Sequence, residues 1–320
     1  MAELTQIVRY RNVFGRLGTI TMVDRSEFVT PGSSLEQRLV VVQGDQVYVR
    51  KYVSSAAGKR NPRLYDLLDN EIRAGSRLRQ VFAGPYPPEL AELVAYNMDA
   101  EEPFALLRAY TGEPAADLVH RFDDGQRRLF HIGLLRALQH LGEAGVVHAA
   151  VTANAVRWDG RQLQLVDFES AAWAGEPRRS GSGEVDTRDD LLAAGLLIRT
   201  VYTGAPADGA RPDRSRDPEL LRALYDPIFD KPVEHWPHPA NLLQKLRENP
   251  VVRPKHDPEA ALAAGRQLFD QISAAKRGPH PVDAVPTETP RTDQRARRIL
   301  PFLAATVLVA VLIIGMAVLA

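Results

Sequence analysis

Residues 145–169 read Gly-Val-Val-His-Ala-Ala-Val-Thr-Ala-Asn-Ala-Val-Arg-Trp-Asp-Gly-Arg-Gln-Leu-Gln-Leu-Val-Asp-Phe-Glu. Leu163-Gln164-Leu165-Val166 alternates as a strand does, which sets Asp167 at a strand's end. His148 opens a loop upstream of it in which Ala149, Ala150 and Ala155 carry no polar group. A carboxylate therefore stands at the strand's end, while positions 149, 150 and 155 of the loop before it offer no group to move a proton or hold a metal.

Working outward from this stretch, the N-terminal third is strand-like. Leu39–Gln43 and Gln46–Val53 are β-branched runs separated by Gly44-Asp45, a hairpin signal. Asn61-Pro62 opens a helix whose Leu64, Leu67, Leu68, Ile72 and Gly75 share one face. Glu92–Tyr96 and Phe104–Ala109 read as two more strands, and a hinge falls near Tyr110-Thr111-Gly112. Helices are expected over Asp124–Ala144, Asp189–Thr203, Asp217–Phe229, Ala240–Arg247 and Pro258–Ala274.

Composition narrows the class. The chain has 320 residues, 45% of them apolar, with 40 basic against 40 acidic side chains and no cysteine. Neutral overall charge, with no basic helix, argues against nucleic acid as a partner. The absence of cysteine excludes disulfides, thiolate catalysis and cysteine-held metals. Residues 275–298 form a proline-rich, basic linker, and 299–320 is an uncharged apolar run. At about 1.5 Å per residue that run would cross the roughly 30 Å hydrocarbon layer as a transmembrane helix, a tail anchor. Arg291, Arg295, Arg297 and Arg298 crowd its N-terminal side and place the preceding residues in the cytoplasm by the positive-inside bias. The expected localisation is a single-pass membrane protein with a cytoplasmic N-terminal domain.

The motifs resemble those of the protein kinase-like superfamily. That family carries a His-x-Asp-Leu-x-Pro-x-Asn loop, a short hairpin, then Asp-Phe-Gly or a variant. Here His148 keeps its place, Ala150 stands for the Asp that accepts the substrate proton, and Ala155 stands for the metal-binding Asn. Asp190 begins Asp-Leu-Leu-Ala-Ala-Gly, which is similar to the central large-lobe helix of kinases. The resemblance implies a bacterial pseudokinase with a degenerate catalytic loop. It also implies an α+β, bilobal kinase-like fold, with a β-rich N-lobe at 1–110 containing one inserted helix, a helical C-lobe at 111–274, linker 275–298 and membrane helix 299–320.

It further implies the site. Lys51 is the candidate hook for nucleotide phosphates, and Glu71, 20 residues later, is the carboxylate that would hold it. Alternation puts Val47, Val49 and Lys51 on one face, with Val49 under an adenine; a register slip would substitute Arg50 for the hook and bring Tyr48 into the adenine's place. Asp167 is the implied metal ligand, so ATP with Mg2+ is the implied cofactor pair. His148 and Asp190 are implied to be structural, Asp190 by holding amides of the degenerate loop. No intact catalytic residue remains.

Several departures bear on the nucleotide. Glu169 replaces the glycine after Asp-Phe. The turn before the first hairpin strand, Thr30-Pro31-Gly32-Ser33-Ser34, has one glycine and a proline without an amide, so it grips phosphate poorly. Gly15–Ile20 is read as an accessory hairpin. The segment between Asp167 and Asp190 is short, and its Arg178-Arg179-Ser180-Gly181-Ser182 offers a place for phosphorylation.

The leading expectation is a membrane-anchored cytoplasmic pseudokinase acting as a signalling or scaffold domain, binding ATP without efficient phosphoryl transfer and acting through protein partners. An active atypical phosphotransferase on a protein, small-molecule or lipid-linked sugar substrate is the alternative. A non-nucleotide-binding adaptor is the third.

Overall fold

The computed structural model describes residues 5–42, 45–177, 183–205 and 212–247. Its first half is a barrel built from six strands: β1 (Thr5–Asn12), β2 (Leu17–Glu27), β3 (Glu36–Val42), β4 (Gln46–Tyr52), β5 (Leu93–Asn97) and β6 (Phe104–Arg108). They close in the order β1-β2-β3-β4-β6-β5. Two helices interrupt the strand run, α1 (Ser55–Arg60) and α2 (Arg63–Val81).

Closure explains why both faces of β4 are buried. One face sends Tyr48 and Tyr52 into the barrel with Met22, Val40, Val42, Ala95, Phe104 and Leu106. Arg50, only 3% exposed, lies over the Tyr52 and Phe104 rings at 4.9 and 5.3 Å. The other face turns Val49 and Lys51 toward the remainder of the protein, where Val49 joins the main core. Helix α2 covers that side through Leu68, Ile72 and Leu78. A side chain at Gly75 would put its Cβ 2.6 Å from Leu93 Cβ, so this glycine sets how closely α2 approaches β5.

The second half mixes helices with two small sheets. Strands β7 (Glu113–Pro114), β9 (Val156–Trp158) and β10 (Leu163–Leu165) form one; β8 (Val146–Val147) and β11 (Ala172–Trp173) form the other. The helices are α3 (Asp124–Ala144), α4 (Thr187–Thr203), α5 (Glu219–Asp230) and α6 (Pro239–Lys245). Capping boxes fix the starts of α3 at Asp123 with Gln126 and of α4 at Asp186 with Asp189, and left-handed Gly145 and Gly204 end them. Gly112, at φ +71°, lets the barrel's exit pass against the Trp158 carbonyl, and its own oxygen accepts from Arg157 Nε and Nη2 at 3.1 and 3.0 Å.

The expected architecture, a bilobal α+β kinase-like fold with a helical C-lobe and one transmembrane helix, is corrected here. The β-rich part is a closed barrel, because β1 reaches past β2 to pair with β5 at Arg11↔Tyr96 and Asn12↔Ala95. Gly15–Ile20 thus belongs to the hairpin that closes the barrel and is no accessory. The second half is not purely helical, since five of its elements are strands in two sheets. Among the described residues no helix is long and apolar enough to cross a membrane. The helix expected over 258–274, the linker 275–298, the apolar run 299–320 and the segment Arg178–Ser182 lie outside the described residues.

Candidate functional site

Lys51 is the centre of the site. Its ammonium, fully buried, reaches Glu71 Oε2 at 2.8 Å, Glu169 Oε1 at 3.2 Å and, in a short contact, Asp167 Oδ1. The register of β4 therefore sends Lys51 to the carboxylates and Arg50 into the barrel. Glu71 arrives from the buried stripe of α2, Asp167 from the end of β10, and Glu169 from the 3₁₀ turn Phe168–Ser170. One ammonium faces three carboxylates, a surplus of two negative charges if all ionise.

That surplus shapes the proton affinities. Burial pushes the Glu71 carboxyl up to about 7, against the opposing pull of Lys51. Burial raises Glu169 as well, again opposed by Lys51. Burial works against the Lys51 charge, yet Glu71, Tyr110, Asp167 and Glu169 together hold its pKa well above the ordinary value. Carboxylate oxygens of Glu71, Asp167 and Glu169 lie within 4.8 Å of one another, a donor set of hard oxygens that suits Mg2+.

The loop from His148 is held from two sides. Asp190, at the start of α4, accepts from the His148 N–H at 2.6 Å and the Ala149 N–H at 2.8 Å. His148 Nε2 donates to the Val166 carbonyl at 2.9 Å, Nδ1 accepts from the Ala150 N–H at 3.3 Å, and the ring packs on Phe168 at 4.8 Å. This pairing fixes a neutral imidazole, and burial lowers its pKa to about 4. The same burial raises Asp190 to about 7, offset by its two backbone donors. Ala149 at φ 59° and Asp167 at φ 74° both occupy the left-handed region. The Ala155 carbonyl accepts from the Val166 N–H at 2.8 Å, tying the loop to the end of β10.

Sequence reasoning missed how the site is covered. The turn Thr30–Ser34 folds onto it: Ser33 Oγ donates to Glu169 Oε1 in a short hydrogen bond, and the Ser34 N–H donates to Glu169 Oε2 at 2.8 Å. Buried Thr30 anchors that turn through Gln37 Oε1 at 2.9 Å. Asn70 Nδ2 donates to the Glu169 carbonyl at 2.7 Å and steadies the other side. Beyond it, the Phe28 and Tyr110 rings lie 5.9 Å apart with the Arg157 guanidinium over both, at 5.2 and 5.6 Å. Tyr110 Oη is buried and finds no hydrogen-bond partner among the described residues. The acidic residue at 169 was the visible signal; nothing in the sequence pairs it with Ser33.

No family model matches the chain. It is similar to the hormonally up-regulated neu tumor-associated kinase of Mus musculus, at 23% identity over 248 residues that cover 69% of this chain. The match spans only 33% of that protein, about a third of its length. The similarity makes the chain a distant, kinase-like relative and goes no further.

Proposed function

We propose that the protein is a pseudokinase: a domain that engages ATP through Lys51 and Glu71 and signals through protein contacts, with phosphoryl transfer disabled. Asp167 and Glu169 would hold Mg2+, which supplies charge neutralisation at the phosphates, and Val49 would lie under the base. The observation that carries this reading is the loop at 148–155. Asp190 and Val166 hold its shape with three hydrogen bonds, while Ala149, Ala150 and Ala155 offer no base and no ligand. Losing a general base alone costs roughly 100-fold to 10,000-fold in rate.

The test is a thermal melt of the full chain with ATP and with ATP plus magnesium, alongside a turnover assay on the wild type and on Ala150→Asp. A magnesium-dependent rise that Asp167→Asn removes, with turnover appearing only in Ala150→Asp, supports the reading. Turnover by the wild type overturns it.

A second reading is favoured by the Ser33 and Ser34 contacts to Glu169. They fit an adaptor whose site is filled by its own turn and takes no nucleotide. Absence of any shift in both the wild type and Glu169→Gly would establish that alternative.

Membrane attachment through residues 299–320, with the preceding residues cytoplasmic, belongs to the same proposal and is supported by sequence alone. Alkaline extraction of membranes should leave the full chain in the pellet and release a version ending at 298.

A further inference from the structure

The hairpin of β1 and β2 carries a surface that the Lys51 centre does not use. Residues 5–23 contain Arg9, Arg11 and Arg16 and no aspartate or glutamate, within a chain whose formal charge is zero. On β1 the outward positions are Thr5, Ile7, Arg9 and Arg11, and the antiparallel register sets Thr21, Thr19 and Leu17 beside the last three. Ile7 is 78% exposed, Leu17 73% and Phe14 57%. Large apolar groups left this open along one element, rather than scattered singly, mark a contact surface.

The tip is built to project. Asn12 Oδ1 accepts from the Phe14 N–H at 3.0 Å and the Arg16 N–H at 2.9 Å, and Gly15 takes φ 79° between them. This fixed turn holds Phe14 outward, flanked by Arg16 and Leu17. The nearest acidic partner is Asp99, 3.7 Å from Arg11 and itself largely exposed.

We propose that this hairpin contacts the surface of a bilayer rich in anionic phospholipid, seating Phe14 and Leu17 in the interfacial layer while Arg9, Arg11 and Arg16 meet headgroup phosphates. A convex apolar tip enters a partner rather than receiving one, and an interface of acyl chains beneath phosphates accepts both its parts. Guanidinium groups match phosphate oxygens in a two-pronged geometry, and their apolar stems lie along the same surface. An acidic protein surface would satisfy the arginines and leave Phe14 without a pocket that the structure suggests. The proposal does not rest on the pseudokinase reading, since no residue of the Lys51 centre takes part.

The lack of cysteine allows a direct test in the full chain. An environment-sensitive fluorophore is attached at Phe14→Cys and, as a control, at Leu220→Cys, which is 41% exposed on α5. Each is mixed with vesicles of phosphatidylcholine, or of phosphatidylcholine with phosphatidylglycerol. The expected result is a blue shift, quenchable by brominated lipid, at position 14 only and with the anionic vesicles only. Replacing Arg9, Arg11 and Arg16 by glutamine should lower that response roughly 100-fold in lipid titration, three charges each contributing at the membrane surface. A label at 14 that stays in water on anionic vesicles overturns the proposal, whether or not residues 299–320 hold the chain there. A response that is equal on neutral vesicles, or that survives the triple substitution, overturns it too.

Discussion

Ser34 donates its backbone N–H to Glu169 Oε2 at 2.8 Å, joining the turn after β2 to the residue two places beyond Asp167. Because Glu169 also contacts Lys51 through its other oxygen, one carboxylate ties the covering turn to the charge at the centre. A glycine at 169 would make neither contact.

Glu169→Gly should therefore release the turn. Two hydrogen bonds to a charged group are lost from the closed form, each contributing about 1.5–3 kcal/mol net. A fluorescent ATP analogue, titrated without magnesium, should bind at least about tenfold more tightly to the variant than to the wild type. Equal affinity would mean that the turn does not compete with nucleotide.

Lys51→Met should destabilise the fold rather than merely abolish binding. Methionine fits the space but leaves Glu71, Asp167 and Glu169 facing one another without a cation. Removing one partner from a buried ion cluster costs about 3–5 kcal/mol. For a domain of this size that corresponds to a melting temperature lower by on the order of 10 °C. Adding Glu71→Gln to the same chain should recover part of the loss.

Ala149→Gly should stabilise the protein. Ala149 occupies φ 59°, where an L side chain costs about 1–2 kcal/mol and glycine nothing. Asp190 enforces that conformation by accepting from both the His148 and Ala149 amides. Relief of the strain is opposed by the greater freedom of glycine in the unfolded chain, so a gain of about 1 kcal/mol or less is expected in urea unfolding. A variant less stable than the wild type would show that the Ala149 methyl contributes more by packing than it costs in strain.

Local patterns carried much of the layout. The antiparallel pairing of β3 with β4, the buried stripe of α2 and the alternation before Asp167 are readable because turn residues and apolar spacing act over a few positions. The three-carboxylate ring was half readable: the resemblance to kinases implied Lys51, Glu71 and Asp167, and the structure brings them together. Glu169's contacts depend on a turn 135 residues away, and no local signal encodes such a pairing. Barrel closure was hidden for the same reason. It rests on β1 meeting β5, and a strand's alternation says which face is buried without saying which strand lies beside it. The burial of Arg50 follows from that closure, since an arginine in a sequence reads as solvated until aromatic rings enclose it.

His148 gives a pH dependence of definite sign. Its folded pKa is lowered to about 4 from an ordinary 6.5, because burial disfavours the charged ring and the Nδ1 acceptor role toward Ala150 requires it to be neutral. Between these values the unfolded state binds the extra proton and the folded state does not. Stability from this group is thus complete above about pH 6.5 and falls as pH drops toward 4, by up to about 1.4 kcal/mol per pH unit. Glu71 and Asp190, both raised to about 7, act with the opposite slope over an overlapping range, so the total curve does not isolate the histidine. The difference between wild type and His148→Asn does. Urea unfolding of both from pH 4 to 7 should show the stability gap between them widening as pH rises to about 6.5 and level above it. A gap independent of pH would mean that His148 takes up its proton alike in the folded and unfolded protein.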